Sequence, residues 1–175
     1  MKHSITGRVA LIGICAAIIE CGKLAFSFIP NVEVVTLSTA LFGYVFGIYG
    51  ILASIVFVTI EPLIYGYSTW VFSYYLYWPL VSLIYMMLGR ARVKNRITLT
   101  ATAVALTAWF GVLTSLVDVG LFTGFYDNFF QRFAVYYARG FAFYIIQCVT
   151  NLLLFPTLFL FFADKLSSVK NRMNL

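Results

Sequence analysis

Residues 34–66, "VVTLSTALFGYVFGIYGILASIVFVTIEPLIYG", form an apolar run that carries one charge, Glu61, and one glycine-flanked interruption, the "GIYG" of residues 47–50. Read without a break it is a single long, kinked helix. Broken at "GIYG" it is two short ones. Gly47 and Gly50 permit a tight turn without enforcing it. The number of helices in the protein turns on that choice, and the rest of the chain has to make it.

Outward from this run the sequence stays apolar. Of 175 residues, 62% are hydrophobic, 19% aromatic and only 10% charged, and the mean hydropathy is +0.94. A soluble chain of this composition would have no polar surface to face water, so an integral membrane protein is expected. Barrel strands would alternate apolar and polar positions, whereas these runs are continuous and reach the roughly 20 residues a spanning helix needs. Six spans are expected, at about 8–29, 34–48, 50–66, 70–89, 97–123 and 138–163.

Charge decides between five spans and six. Lys2 and Arg8 precede the first span, "GRARVKNR" (89–96) separates the fourth and fifth, and Lys165, Lys170 and Arg172 follow the last. Six spans put all three clusters on one side, which the positive-inside rule makes cytoplasmic. Five would put them on opposite sides. The expected fold class is therefore an all-α integral membrane protein, six transmembrane helices with both termini cytoplasmic, forming one domain over residues 1–175.

Several functions are excluded on the same residues. These flanks account for the net charge of +6, and "RARVKNR" is too short to be more than a topogenic loop, so no nucleic acid is expected as a partner. The first apolar run outlasts a signal-peptide core and has no clear small-x-small cleavage site before Pro30, so it is read as a retained helix. Cys15, Cys21 and Cys148 lie inside spans without a CxxC pattern, and the lone histidine, His3, sits in the N-terminal tail. Structural thiols are expected there, with no metal site. Without a histidine in the membrane there is no base for a catalytic triad. Walker A, GxGxxG and HExxH motifs are absent, so no enzyme activity and no cofactor are expected, and energy from nucleotide hydrolysis would come from another polypeptide.

Most polar residues outside the basic flanks fall in the loops of the other face, "SFIPNVE", "IEPLIYGYSTW" and "TGFYDNFFQRFAVYYAR". Among them are Asn31, Glu33, Glu61, Tyr65, Trp70, Asp127, Arg132 and Arg139. Tyr and Trp also anchor membrane interfaces. The cytoplasmic loops, however, carry almost no aromatics, and polar and aromatic groups gathered at one face suit a cavity that stacks a flat organic molecule. Within the spans, Glu20 and Lys23 stand three apart on the first helix and are expected to neutralise each other. Asp118 lies near the outer end of the fifth.

Six helices in this length, both termini inside, a basic loop after the fourth helix, "IPNVEVVTL" after the first and "EPLIYGYSTWVFSYYLYWP" after the third together resemble the substrate-binding S component of an energy-coupling factor (ECF) vitamin transporter. The resemblance covers essentially the whole chain. It implies a bacterial cell-membrane protein that captures a vitamin or related micronutrient at the extracellular face. Delivery would follow by toppling in the bilayer, driven by a transmembrane T subunit and two cytosolic ATPases. The family docks on the T subunit through small residues of the first helix, and Ala10, Gly13 and Ala17 are the nearest match, with glycine where alanine is usual.

The resemblance places the vitamin site in the segment after the first helix and in the third and fifth loops. Pro30 would end the first helix, with Asn31 and Glu33 at the mouth of the cavity, although both also suit the cap of the second helix. Glu61 with Pro62 would close the third helix. Trp70, Tyr74, Tyr77 and Trp78 form a stripe on one face of the fourth helix, a stacking wall or plain helix packing. The fifth loop reads as a lid in which Asp127 and Arg132 pair, Arg139 meets the substrate, and Gln147 and Asn151 need partners deeper in the span. A flat, polar, not strongly anionic nutrient is expected, with cobalamin the first candidate. Two other classes stay open: a small membrane enzyme acting on lipid head groups through a metal at Glu33 and Glu61, and a stand-alone ion-coupled carrier.

Overall fold

Gly47 breaks the deciding run. A computed structural model describes residues 5–29, 32 and 34–173, and in it α2 (Val35–Phe46) and α3 (Ile48–Tyr65) are separate helices joined at Gly47, whose φ of 62° lies in the region that favours glycine. Gly50 has a different task from the turn expected of it. It sits inside α3 at a point where a Cβ would come within 2.3 Å of the Phe42 backbone, so its missing side chain lets the two helices lie close.

The remaining helices are α1 (Ile5–Phe26), α4 (Trp70–Arg90), α5 (Arg96–Leu116, running into a π-helical turn Val117–Phe122), α6 (Phe129–Leu154) and α7 (Leu160–Arg172). A π-helical turn at Phe155–Phe159 joins the last two into one rod. Pro156 lies in that turn, where its missing N–H already forbids the ordinary ladder. Counting the rod once, six helices cross the structure, and no strand occurs among the described residues.

Five of the six are long and apolar enough to cross a membrane. The exception is α2, whose 12 residues rise only about 18 Å. The expected span 34–48 therefore falls short of the roughly 30 Å of a bilayer's hydrocarbon core. Its C-terminal end is tied to the basic end of the bundle, where the Lys170 Nζ donates to Val45 O at 2.6 Å and the Tyr44 hydroxyl to Val93 O at 2.9 Å. The opposite end of the bundle beside α2 is consequently left to the connection after α1.

Other boundaries differ from the expected ones for identifiable reasons. α1 ends at Phe26, ahead of Pro30; Pro30, Asn31 and Glu33 lie outside the described residues. Pro62 does not close α3, because its ring is accommodated within the last turn and the helix stops at Gly66, φ 81°. The rod begins at Phe129 and not near 138, so Arg132 is helical, as Arg139 was expected to be, and the expected lid shrinks to residues 123–128.

α2 and α4 meet backbone to backbone. A Cβ on Gly43 would stand 2.2 Å from the Ser82 carbonyl oxygen, and the Ser82 hydroxyl donates to Thr39 O at 2.8 Å across the same contact. Small residues and short hydroxyl bonds are what bring helices together where apolar burial alone gives little drive. Gly43→Ala is expected to force the pair apart and cost about 1–3 kcal/mol. Thermal unfolding of the purified variant checks it; an unchanged Tm would contradict the close approach.

Candidate functional site

Because α2 is short, the end of the bundle opposite the basic flanks holds a cavity of about 280 Å³. Its floor is Val35 and Thr36 at the start of α2, and its rim includes Ser27, Ile29 and Val32 from the connection after α1. One wall is aromatic: Phe57 from α3, Tyr74, Tyr77 and Trp78 from α4, and Phe110 from α5. These rings hold one another edge-on or tilted, Trp78 to Tyr77 at 4.7 Å, to Tyr74 at 5.7 Å and to Phe57 at 6.2 Å between centroids. Such mutual packing fixes ring planes before any molecule arrives. The polar contribution comes from Lys23, Thr36, Thr107 and Gln147. Trp78 is buried, and its Nε1–H, closed off from the cavity, has no acceptor among the described residues.

A narrower cleft of about 220 Å³ adjoins the cavity, and Lys23, Tyr65 and Tyr74 line both. Glu61 and Trp70 complete it. Lys23 donates to Glu61 Oε2 and forms an ion pair with it. The Lys23 Nζ also lies 4.2 Å from the centre of the Tyr65 ring and 5.6 Å from that of Tyr74. Lys23 therefore does not pair with Glu20 as its spacing on α1 suggested. A carboxylate across the helix interface, flanked by two ring faces, offers the ammonium more than a neighbour on its own helix does. Glu20 is left 7% exposed with its carboxyl beside that of Glu61, yet neither of its oxygens makes a hydrogen bond of ordinary geometry.

Of the residues singled out from sequence, Glu61, Tyr65, Trp70, Tyr74, Tyr77, Trp78 and Gln147 come together here. Asn151 stands behind the wall: its Nδ2 donates to Thr107 Oγ1 at 2.9 Å and holds a lining residue without lining the cavity itself. The fifth-loop residues go elsewhere. Arg132 and Arg139 line a separate cleft of about 380 Å³ with Asp118 and Tyr136. Arg132 donates to Thr123 Oγ1 at 3.0 Å and Gly124 O at 2.8 Å, so the expected pair with Asp127, an exposed residue, does not form. Helical geometry carries the arginine back over the turn before it, within reach of those carbonyl and hydroxyl oxygens.

Sequence reasoning missed Phe57, Thr107 and Phe110, which sit mid-helix in unremarkable apolar surroundings and become wall only through packing. It also missed the role of Lys23, whose placement inside a span was the available signal. Cys15 is buried, Cys148 partly so, and Cys21 exposed on α1; all three are free thiols. Among the described residues no three His, Cys, Asp or Glu side chains gather as a metal site would require. No family model, no curated protein and no solved structure matches the chain.

Proposed function

We propose that this protein is a membrane-embedded substrate-binding subunit, of the S-component type, that captures a small flat nutrient and passes it to a transport partner. The observation that carries the reading is the ring-walled cavity, with Lys23, Thr36, Thr107 and Gln147 among its lining, at one end of an apolar helix bundle. By the positive-inside rule the basic end faces the cytoplasm of a bacterial cell, so the cavity opens outward. Ala10, Gly13 and Ala17 are all exposed on α1, and no atom lies within 4 Å of a Cβ built on Gly13. That open, small-residue face suits close docking of a T subunit helix, itself coupled to two cytosolic ATPases.

The cavity's size speaks for a one- or two-ring heterocycle. Cobalamin, with its corrin macrocycle and side chains, is several times too bulky to be enclosed in about 280 Å³. The lipid-head-group enzyme finds less support, since Glu61 is engaged by Lys23. Co-purification of the chain with its host's other proteins, with mass spectrometry of partners and bound small molecules, tests the proposal. A T-like subunit, two ATPases and a bound heterocycle are expected. A lone chain carrying only lipid would overturn it.

A further inference from the structure

The cleft beside the cavity is lined by one carboxyl residue, Glu61, and one cation, Lys23, and a second buried carboxyl, Glu20, lies next to Glu61 outside the lining. Glu61 is 1% exposed and Glu20 7%. Lys23 reaches Glu61 Oε2, and the Glu20 carboxyl lies within hydrogen-bonding reach of the Glu61 carboxyl, while no cation pairs with Glu20 among the described residues. Buried carboxylates demand a counter-charge or strong hydrogen bonds. One lysine serves one of them, so the cluster has acceptor capacity for a second positively charged donor.

The surroundings of the Lys23 ammonium define what that donor is. A carboxylate oxygen on one side and the faces of Tyr65 and Tyr74 on the other make the arrangement by which proteins recognise ammonium groups. Lys23 also lines the large cavity, so the position it fills is continuous with the ring wall. A molecule seated against that wall would have the Lys23 position beside it.

We infer that the cleft takes the ammonium or amidinium end of a flat cationic substrate, in the place the Lys23 ammonium holds in this structure, with Lys23 passing to Glu20 as the substrate enters. The exchange balances charge: two cations then face two carboxylates. Glu20 lies three residues before Lys23 on α1, within reach of the displaced side chain along the same helical face. The inference rests on the cavity being a substrate site, as proposed above, and narrows its substrate to cations.

Three isosteric probes test it on the full chain in detergent or nanodiscs: benzamidinium, neutral benzamide and anionic benzoate, titrated by tryptophan fluorescence. Benzamidinium is expected to bind about tenfold or more tighter than either of the others. Glu61→Gln and Glu20→Gln should each weaken it by a similar factor. Lys23→Met keeps the apolar stem, removes the resident competitor and should tighten it; because this variant is less stable, a rise in its Tm on adding benzamidinium gives a second readout. Benzoate binding best, or Lys23→Met weakening benzamidinium, would overturn the inference and leave the cavity standing as a site for another class. Equal binding of all three would also overturn it. Binding of none of them, with no nutrient recovered on co-purification, would remove the substrate site as well.

Discussion

Alanine in place of Trp78 is expected to abolish substrate capture and to lower the stability of the protein more than any other single change in the cavity wall. Trp78 is buried and touches Phe57, Tyr74, Tyr77 and Phe110, so its loss takes one member out of four ring contacts. In a water-soluble core a truncation of this kind costs about 3–5 kcal/mol. Lipid is as apolar as a core, so the transfer part is small in a bilayer and the loss is mainly of packing, nearer about 2–3 kcal/mol. Trp78→Phe should retain most of the stability while removing an N–H that has no acceptor among the described residues. Comparing the two variants by Tm and by ligand retention separates the wall's structural role from its binding role. Equal retention by wild type and Trp78→Ala would mean that the wall is not where the substrate sits.

Removing Lys23 should be the most damaging change among the charged residues, and its asymmetry with Glu61 is the informative part. Lys23→Met leaves two adjacent buried carboxyls without a cation, at a cost of about 2–3 kcal/mol. That is below the 3–5 of a fully buried broken pair, because the Lys23 side chain is 25% exposed and water shares in its solvation. Glu61→Gln should cost about 1 kcal/mol, since Lys23 can turn to Glu20. Lys23→Met combined with Glu61→Gln should recover much of what Lys23→Met alone loses, an interaction energy readable in a double-mutant cycle. Equal losses from both single variants would show that Glu20 provides no alternative for the lysine.

How much of this was legible beforehand differs between the elements. The break at "GIYG" could be argued from charge placement alone, because basic flanks report the side of the bilayer that each loop occupies. The ring stripe of α4 could be read from spacings of three and four. The length of the last helix could not. Residues 129–139 are polar enough to pass for a loop, but they continue the helical pattern of the span that follows, and a helix end protruding from an apolar bundle tolerates arginines on its free surface. Loop-five residues were grouped with the cavity because they share its end of the bundle. Packing of α6 against α5 instead gives Arg132 and Arg139 a cleft of their own.

The sequence by itself determined the class of architecture, an all-helical apolar bundle, because continuous apolar runs close their backbone hydrogen bonds within a helix, and the placement of the basic clusters argued for the break at Gly47. It also named most of the aromatic wall, since helical periodicity projects such residues onto one face. Only the tertiary structure decided that α2 stops short and leaves room for a cavity. It alone also gave Lys23 to Glu61 in place of Glu20. Both outcomes depend on which helices lie side by side, and contacts between residues 38 positions apart are set by packing geometry that no local pattern encodes.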